Sequence, residues 1–162
     1  MIPTIKIQKN FSDALLPKRS HPTDSGLDVY AYKLERITDD DKSLFEGDSC
    51  TIVPNGRIAV DTGISATVDA GYEIQVRPRS GLAYKEGLTV LNTPGTIDES
   101  YRGHIKVILI NLSNKPKIVS VGERIAQIVV CPVILSEVEE VLILPASGTD
   151  RNTGGFGSTG KK

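Results

Sequence analysis

Short runs of apolar residues, or of alternating apolar and polar residues, recur about every 8–12 positions, with turn-forming residues between them. Tyr72–Arg77 alternates most cleanly, as a half-buried strand does. Long helical periodicity is absent from the sequence, and the one helix expected is short, residues 81–86 after Ser80 as N-cap. The pattern predicts an all-β sandwich or barrel, with strands in segments 2–8, 25–31, 51–53, 57–60, 64–68, 72–77, 88–91, 105–110, 119–133 and 138–144.

Residues 35–48 interrupt this pattern with a polar stretch that includes Asp39, Asp40 and Asp41. The segment is expected to be an exposed excursion between strands. A metal site built on the three aspartates is one interpretation. A solvated loop is the preferred one, because consecutive side chains do not converge and no spaced ligand pattern follows.

Composition limits the classes of protein to which the chain can belong. With 162 residues, 39% hydrophobic and 24% charged, it is expected to form one soluble globular domain. A net charge of −1 gives no electrostatic footprint for nucleic acid or for an anionic membrane. No stretch approaches the roughly 20 apolar residues of a membrane span, and no signal peptide is expected at the N-terminus. Cys50 and Cys131 are expected to be buried, reduced thiols of a cytoplasmic protein.

Candidate chemistry is concentrated in residues 91–110. A loop with one amide (Asn92), one acid (Asp98) and one aromatic residue (Tyr101) lies between two apolar runs that predict a hairpin. Pro94 restricts the loop backbone, and Gly95 permits a ligand to approach it closely. The loop is either a small-molecule site or an ordinary decorated connection, since most loops only connect.

Three segments could bind phosphate. Residues 79–81 (Arg-Ser-Gly) and 122–124 (Gly-Glu-Arg) offer guanidinium, hydroxyl and backbone N–H donors. The third is a Gly-, Ser- and Thr-rich tail, residues 147–162, which is expected to be flexible and to follow a folded domain of residues 1–146. It carries Arg151 and Phe156. Two such clusters around an acid-bearing hairpin, with a tail that could close over them, indicate a site for a nucleotide phosphate chain.

Other motifs are set aside. The tail contains a near match to the P-loop pattern, but Lys162 stands where Ser or Thr is required, and no helix can follow. His21 and His104 lack a second ligand at metal spacing and are interpreted as structural or surface residues.

Five ordered blocks of sequence resemble the homotrimeric dUTPases, the dUTP diphosphatases, over nearly the whole chain. The resemblance implies a jelly-roll-type β-barrel, three subunits with active sites at their interfaces, and hydrolysis of dUTP to dUMP and pyrophosphate with Mg²⁺. That reaction limits uracil incorporation into DNA and supplies dUMP for thymidylate synthesis. The blocks are SGLDVYA (25–31), PRSGLA (78–83), NTPGTIDESYRG (92–103), GERIAQIV (122–129) and RNTGGFGSTG (151–160).

The resemblance also implies site residues. Asp98 would activate water for attack on the α-phosphate and accept a hydrogen bond from the deoxyribose 3′-OH. Tyr101 would pack on the deoxyribose and exclude a 2′-OH. Asp28 would contact Mg²⁺ through water. The implied substrate-binding residues are Asn92, Gly95, Thr96, Ile97 and Asp98 for uracil and sugar, with Tyr101 and the Lys106 backbone; Arg79, Ser80, Gly81 and a neighbouring subunit's Gln127 for phosphate; and Arg151, Phe156, Gly157 and Ser158 in the tail.

Two alternatives stay open at this stage. A dCTP deaminase would share the fold, but it needs an acid placed for attack on the base ring. A dUTPase-like binding module would act through a protein partner, for which residues 35–48 are the candidate surface.

Overall fold

The structure is a computed structural model that describes residues 2–38 and 41–149. Within them the chain forms one short helix, α1 (Ser80–Glu86), and antiparallel strands, so the predicted all-β class is confirmed. The strands are β1 (Ile5–Lys9), β2 (Leu27–Tyr30), β3 (Lys33–Arg36), β4 (Leu44–Glu46), β5 (Ser49–Ile52), β6 (Arg57–Asp61), β7 (Ile64–Val68), β8 (Tyr72–Arg77), β9 (Leu88–Val90), β10 (Gly95–Ile97), β11 (Lys106–Asn111), β12 (Lys117–Ser120) and β13 (Arg124–Pro132).

Two four-stranded sheets dominate the described part of the chain. One has the order β10-β8-β13-β2 and the other β3-β6-β11-β9. A sheet with the order β12-β5-β4 and the pair β1-β7 complete the topology. None of the described helices is long and apolar enough to cross a membrane.

Aliphatic side chains build the core. Ile74 and Val76 on β8 are buried while their polar neighbours are not, as the alternation predicts. On β11, Val107 and Leu109 are each 1% exposed. Fully burying one such side chain contributes about 1.5–3 kcal/mol to folding. This core supports the hairpin formed by β9 and β11, where Val90 pairs with Leu109, as predicted.

Residues 35–48 are mostly exposed where the structure describes them, as predicted. The two ends of the segment are not loop, because β3 pairs with β6 and β4 pairs with β5. Between these strands the Asp41 carboxylate accepts backbone hydrogen bonds from Ser43 (2.7 Å) and Arg57 (2.7 Å). Burial opposes ionisation, but the hydrogen bonds from Ser43 and Arg57 outweigh it and lower the pKa of Asp41. Asp39 and Asp40 lie outside the described residues.

Three further predictions need correction. Residues 138–144 form no strand in this chain; their side chains are exposed, Val138 by 99% and Leu142 by 103%. Ser80 is the first helical residue and not the cap, since Arg79 has the extended N-cap backbone and makes no side-chain cap bond. Cys50 is buried as expected, but Cys131 is only partly buried; both are free.

Candidate functional site

The hairpin loop and the strand after it line an open pocket of about 200 Å³. Asp98 directly follows β10 and is exposed, and its carbonyl oxygen accepts the Tyr101 N–H at 3.0 Å, which closes a tight turn. No salt bridge engages the Asp98 carboxylate among the residues described here. The carboxylate is therefore available to a ligand or a water. The residues lining the pocket are Thr96, Ile97, Asp98, Tyr101, His104, Ile105 and Lys106.

Tyr101 is held against the loop that follows it. Its hydroxyl donates to the carbonyl oxygen of His104 at 3.1 Å. A Cβ added at Gly103 would lie 2.3 Å from that hydroxyl, so only glycine permits this approach. Tyr101 as a whole remains 45% exposed and lines the pocket.

Asn92 packs against the start of β10. A Cβ added at Gly95 would lie 3.3 Å from the Asn92 amide nitrogen and 3.3 Å from Val76. Gly95, Thr96 and Ile97 pair with β8, so the base-binding segment expected from the sequence is a short strand and not a free loop. Thr96 is exposed, while Ile97 is buried beneath it.

The Lys106 side chain is paired with Glu35 on strand β3. Its ammonium nitrogen lies 2.6 Å from Glu35 Oε2. That hydrogen bond raises the pKa of Lys106 and lowers the pKa of Glu35. Lys106 lines the pocket, and the backbone contact implied by the resemblance stays a prediction.

A second group, which we call the arginine cluster, consists of Ser20, Asp28, Arg79 and Arg124. Asp28 Oδ1 lies 3.0 Å from Arg79 Nε, and Asp28 Oδ2 lies 3.0 Å from Arg124 Nη1. Ser20 Oγ lies 3.2 Å from the same Arg124 nitrogen and 3.3 Å from Asp28 Oδ2. One carboxylate thus orients two guanidinium groups, which are the donors best suited to phosphate.

Gln127, Ser80 and Gly81 adjoin this cluster. The Gln127 side chain donates to the Pro78 carbonyl oxygen at 2.9 Å and lies over Gly26, where an added Cβ would be 1.9 Å from Gln127 Oε1. Ser80 and Gly81 are exposed in the first turn of α1, immediately after Arg79. Arg79 and Gln127, implied to bind phosphate, and Asp28, implied to contact Mg²⁺, are therefore close together.

The pocket and the arginine cluster do not meet within one chain. Both groups belong to the sheet with the order β10-β8-β13-β2. Gly95 on β10 pairs with Val76 on β8, and Gln127 on β13 pairs with Arg77 on β8, so Gln127 lies two strands away from β10. Asp98 follows the end of β10 that points away from Arg77. Strand spacings place Asp98 roughly 15 Å from Gln127.

The described residues fit a metal held mainly by substrate. No group of three or more His, Cys, Asp or Glu side chains converges on a common point in residues 2–38 and 41–149. Asp28 is the implied metal contact, and each of its oxygens already accepts from an arginine. Oδ2 accepts from Ser20 Oγ as well, whereas Oδ1 keeps a second lone pair, so a water-mediated contact through Oδ1 remains compatible. Such a donor set suits Mg²⁺, which keeps its waters and binds phosphate oxygens, and not an all-protein cage.

The structure adds residues that sequence reasoning did not assign to the site. Ser20 belongs to no motif in the sequence, and Arg124 belongs only to a possible phosphate-binding segment. Both contact Asp28 across separations of 8 and 96 residues. The only signal for Ser20 in the sequence is that it is a polar residue shortly before the 25–31 block. Arg151, Phe156, Gly157 and Ser158 lie outside the described residues.

Comparison with known proteins identifies the family. A model of the dUTPase family matches residues 12–160. A deoxyuridine 5'-triphosphate nucleotidohydrolase from Hydrogenobaculum sp. is 49% identical over 156 residues, covering 96% of this chain and 97% of the relative. One from Nautilia profundicola is 45% identical over 157 residues, covering 97% and 99%. The chain belongs to the dUTPase family.

A solved structure confirms the dUTPase fold. A mutant of the Staphylococcus bacteriophage 80alpha dUTPase with dUpNHpp matches with a TM-score of 0.76 at 22% identity, covering 97% of this chain and 98% of that chain. A mutant dUTPase from phage phi11 of S. aureus, described with a structural Mg(II) ion, matches with a TM-score of 0.71 at 18% identity, covering 88% and 99%.

Proposed function

We propose that this chain, a dUTP diphosphatase by family, hydrolyses dUTP to dUMP and pyrophosphate with Asp98 as the base. The observation that carries the proposal is the exposed Asp98 carboxylate in a pocket that also presents Tyr101. A carboxylate within hydrogen-bond reach of a water can take its proton as the water attacks the α-phosphate. The released proton remains on Asp98 until solvent removes it, and pyrophosphate leaves. The reaction keeps dUTP from DNA synthesis and provides dUMP.

The pocket residues select the nucleoside. Asn92 and the backbone of residues 95–98 would pair with uracil, since the pairing of β10 with β8 holds residues 95–97 in place. A site that hydrogen-bonds its substrate rejects an analogue with the wrong donor pattern far better than an apolar slot does. Tyr101 would lie flat on the deoxyribose. The Lys106 backbone adds a further contact.

The arginine cluster and its neighbours bind the phosphates. Arg79 would supply charge, Ser80 and Gly81 would donate hydrogen bonds, and Gln127 would reach the phosphate chain from a neighbouring subunit. Mg²⁺ is the proposed cofactor, and it neutralises phosphate charge when bound. Asp28 would hold it through water, in keeping with the sparse carboxylates of this region.

A homotrimer would join these two groups of residues. The roughly 15 Å separation between Asp98 and Gln127 within a chain is bridged if one subunit contributes the pocket and another the arginine cluster. The exposed apolar arm of residues 133–144 supports this arrangement, since Leu142 and Ile143 are 103% and 86% exposed in the isolated chain. Packing the arm on a neighbour would bury it.

The tail completes the site in this proposal. Residues 147–162 would close over the bound nucleotide, with Arg151 on the γ-phosphate, Phe156 stacked on uracil, and Gly157 and Ser158 alongside. The division between a domain of residues 1–146 and this tail stays a prediction. Free Cys50 and Cys131 support a reducing, cytoplasmic compartment. In residues 35–48 Arg36 and Asp41 bond within the chain, and a partner-binding surface there stays the alternative.

Pyrophosphate release over a panel of dUTP, dCTP, dTTP and UTP tests the proposed activity. We expect release from dUTP alone at an appreciable rate, without ammonia from dCTP. Ammonia release from dCTP, or equal hydrolysis of dTTP, would contradict the proposal.

A further inference from the structure

His104 is tied to a buried carboxylate at the end of strand β6. Its Nδ1 lies 2.7 Å from Asp61 Oδ2, and Asp61 is only 4% exposed. The other Asp61 oxygen accepts the Gly63 N–H at 2.7 Å. An ionised carboxylate only accepts hydrogen bonds, so Nδ1 carries the hydrogen of this pair. We name Asp61 and His104 the carboxylate–histidine clamp.

The segment on which the clamp acts is also held by its backbone. The Ile105 carbonyl oxygen accepts from the Thr62 hydroxyl at 2.7 Å and from the Thr62 N–H at 3.1 Å. The Ile105 N–H donates to the Ile64 carbonyl oxygen at 2.8 Å. From the other side the Phe11 ring meets the His104 ring edge-on at 5.8 Å between centroids. His104 therefore has one arrangement relative to β6.

This fixed histidine carries the acceptor for Tyr101. The Tyr101 hydroxyl donates to the His104 carbonyl oxygen, and Gly103 admits the phenol ring between them. The Tyr101 ring is thus linked to the buried Asp61 through two hydrogen bonds, both of which involve His104. His104 lines the same pocket as Asp98 and Tyr101.

We propose that His104, held by Asp61, is a positioning residue that fixes the Tyr101 ring and so sets the discrimination between deoxyribose and ribose substrates. This inference rests on the proposed function, in which Tyr101 packs on the sugar. A ring held to within a fraction of an ångström excludes a 2′-hydroxyl, and a ring free to shift admits it. Misplacement by 1 Å costs a productive geometry about 10²-fold in rate.

The test compares kcat/KM for dUTP and for UTP in His104→Leu and His104→Asn. Leucine preserves bulk but cannot bond Asp61, whereas the asparagine amide nitrogen can occupy the place of Nδ1. We expect His104→Leu to lower the dUTP/UTP ratio by about tenfold or more, and His104→Asn to restore most of it. The exposed histidine outside the pocket provides matched controls, His21→Leu and His21→Asn, which should leave the ratio unchanged.

Tyr101→Phe keeps the ring and removes only its bond to His104, so it is the test if His104→Leu does not fold. It should lower the ratio as His104→Leu does, and the double variant should be no worse than the more severe single one. An unchanged ratio in folded, active His104→Leu or in Tyr101→Phe, or additive effects, would overturn the inference. Should the wild-type protein itself fail to hydrolyse dUTP, the proposed function fails instead.

Discussion

Asp28 and Arg79, 51 positions apart in sequence, form a hydrogen-bonded ion pair of 3.0 Å between Oδ1 and Nε. The pair holds the guanidinium next to Ser80 and Gly81 at the start of α1. Because the second Asp28 oxygen also bonds Arg124, the carboxylate organises the whole arginine cluster. The resemblance implies that Asp28 contacts the metal, whereas in this structure Asp28 accepts hydrogen bonds from two arginines.

Asp28→Asn should therefore weaken phosphate binding. The amide can accept from only one arginine through its oxygen, so we expect kcat/KM for dUTP to fall by about tenfold to a hundredfold. Steady-state kinetics at several Mg²⁺ concentrations check this. Asp48→Asn, at an exposed site, is the control. If excess Mg²⁺ restores full activity, Asp28 acts through the metal alone and the orienting role is wrong.

Strands with strong local signals could be predicted from the sequence. β8 alternates cleanly and β11 is a β-branched apolar run, and both occur as expected. β4 and β10 are only three residues long and contain Glu46 and Gly95, so they depend on pairing with β5 and β8, which local sequence does not encode. Residues 138–144 are apolar enough for a strand, but no neighbour within the described chain pairs with them.

Site residues were predictable only where they fall in recognisable blocks. Asp98 and Tyr101 stand out in the loop of a predicted hairpin, the family resemblance implies their roles, and both line one pocket in the structure. The contact between His104 and Asp61 was not predictable, because the two residues are 43 positions apart and an isolated histidine has no pattern. Residues so far apart in sequence become partners only when the chain folds, so their pairing has to be read from the structure.

Leu142→Asp should break the proposed trimer. Each aliphatic residue buried on a neighbour contributes about 1.5–3 kcal/mol, and a carboxylate there would oppose burial. Sedimentation velocity should show a trimer for wild type and smaller, inactive species for the variant. Ile2→Asp, at a site that is also highly exposed (90%) but lies outside the arm, should remain trimeric. A wild-type monomer that is fully active at micromolar concentration would contradict the shared site.

Truncation after Thr149 should leave the fold and thermal stability intact and cut kcat/KM sharply. The removed residues include Arg151 and Phe156, whose proposed contacts form on the bound nucleotide and strengthen toward the transition state. Ordering the tail glycines costs conformational entropy, which those contacts must offset. Phe156→Ala should lose less, because stacking is worth about 1–3 kcal/mol per base. Full activity of the truncated protein would mean that the tail is not a lid.

Glu35→Gln should lower the thermal stability at neutral pH but not at acid pH. The hydrogen bond from Lys106 holds the pKa of Glu35 below its ordinary value of 4.5, against the effect of burial and with help from Lys33. The stabilisation is therefore present above pH 4.5 and is lost as the pH falls through the lowered pKa. Melting temperatures of wild type and variant should differ slightly at pH 7 and converge at a pH well below 4.5. An equal difference at both pH values would show that the pair acts through packing.

The general-base role of Asp98 is tested most directly by single-turnover hydrolysis of dUTP by Asp98→Asn, with nucleotide affinity measured in parallel. Removing a general base typically costs about 10²–10⁴-fold in rate. The amide can still bond the sugar hydroxyl, so the affinity should change far less than the rate. Glu99→Gln, the adjacent exposed carboxylate, should keep the wild-type rate. A rate near wild type for Asp98→Asn would rule out Asp98 as the base.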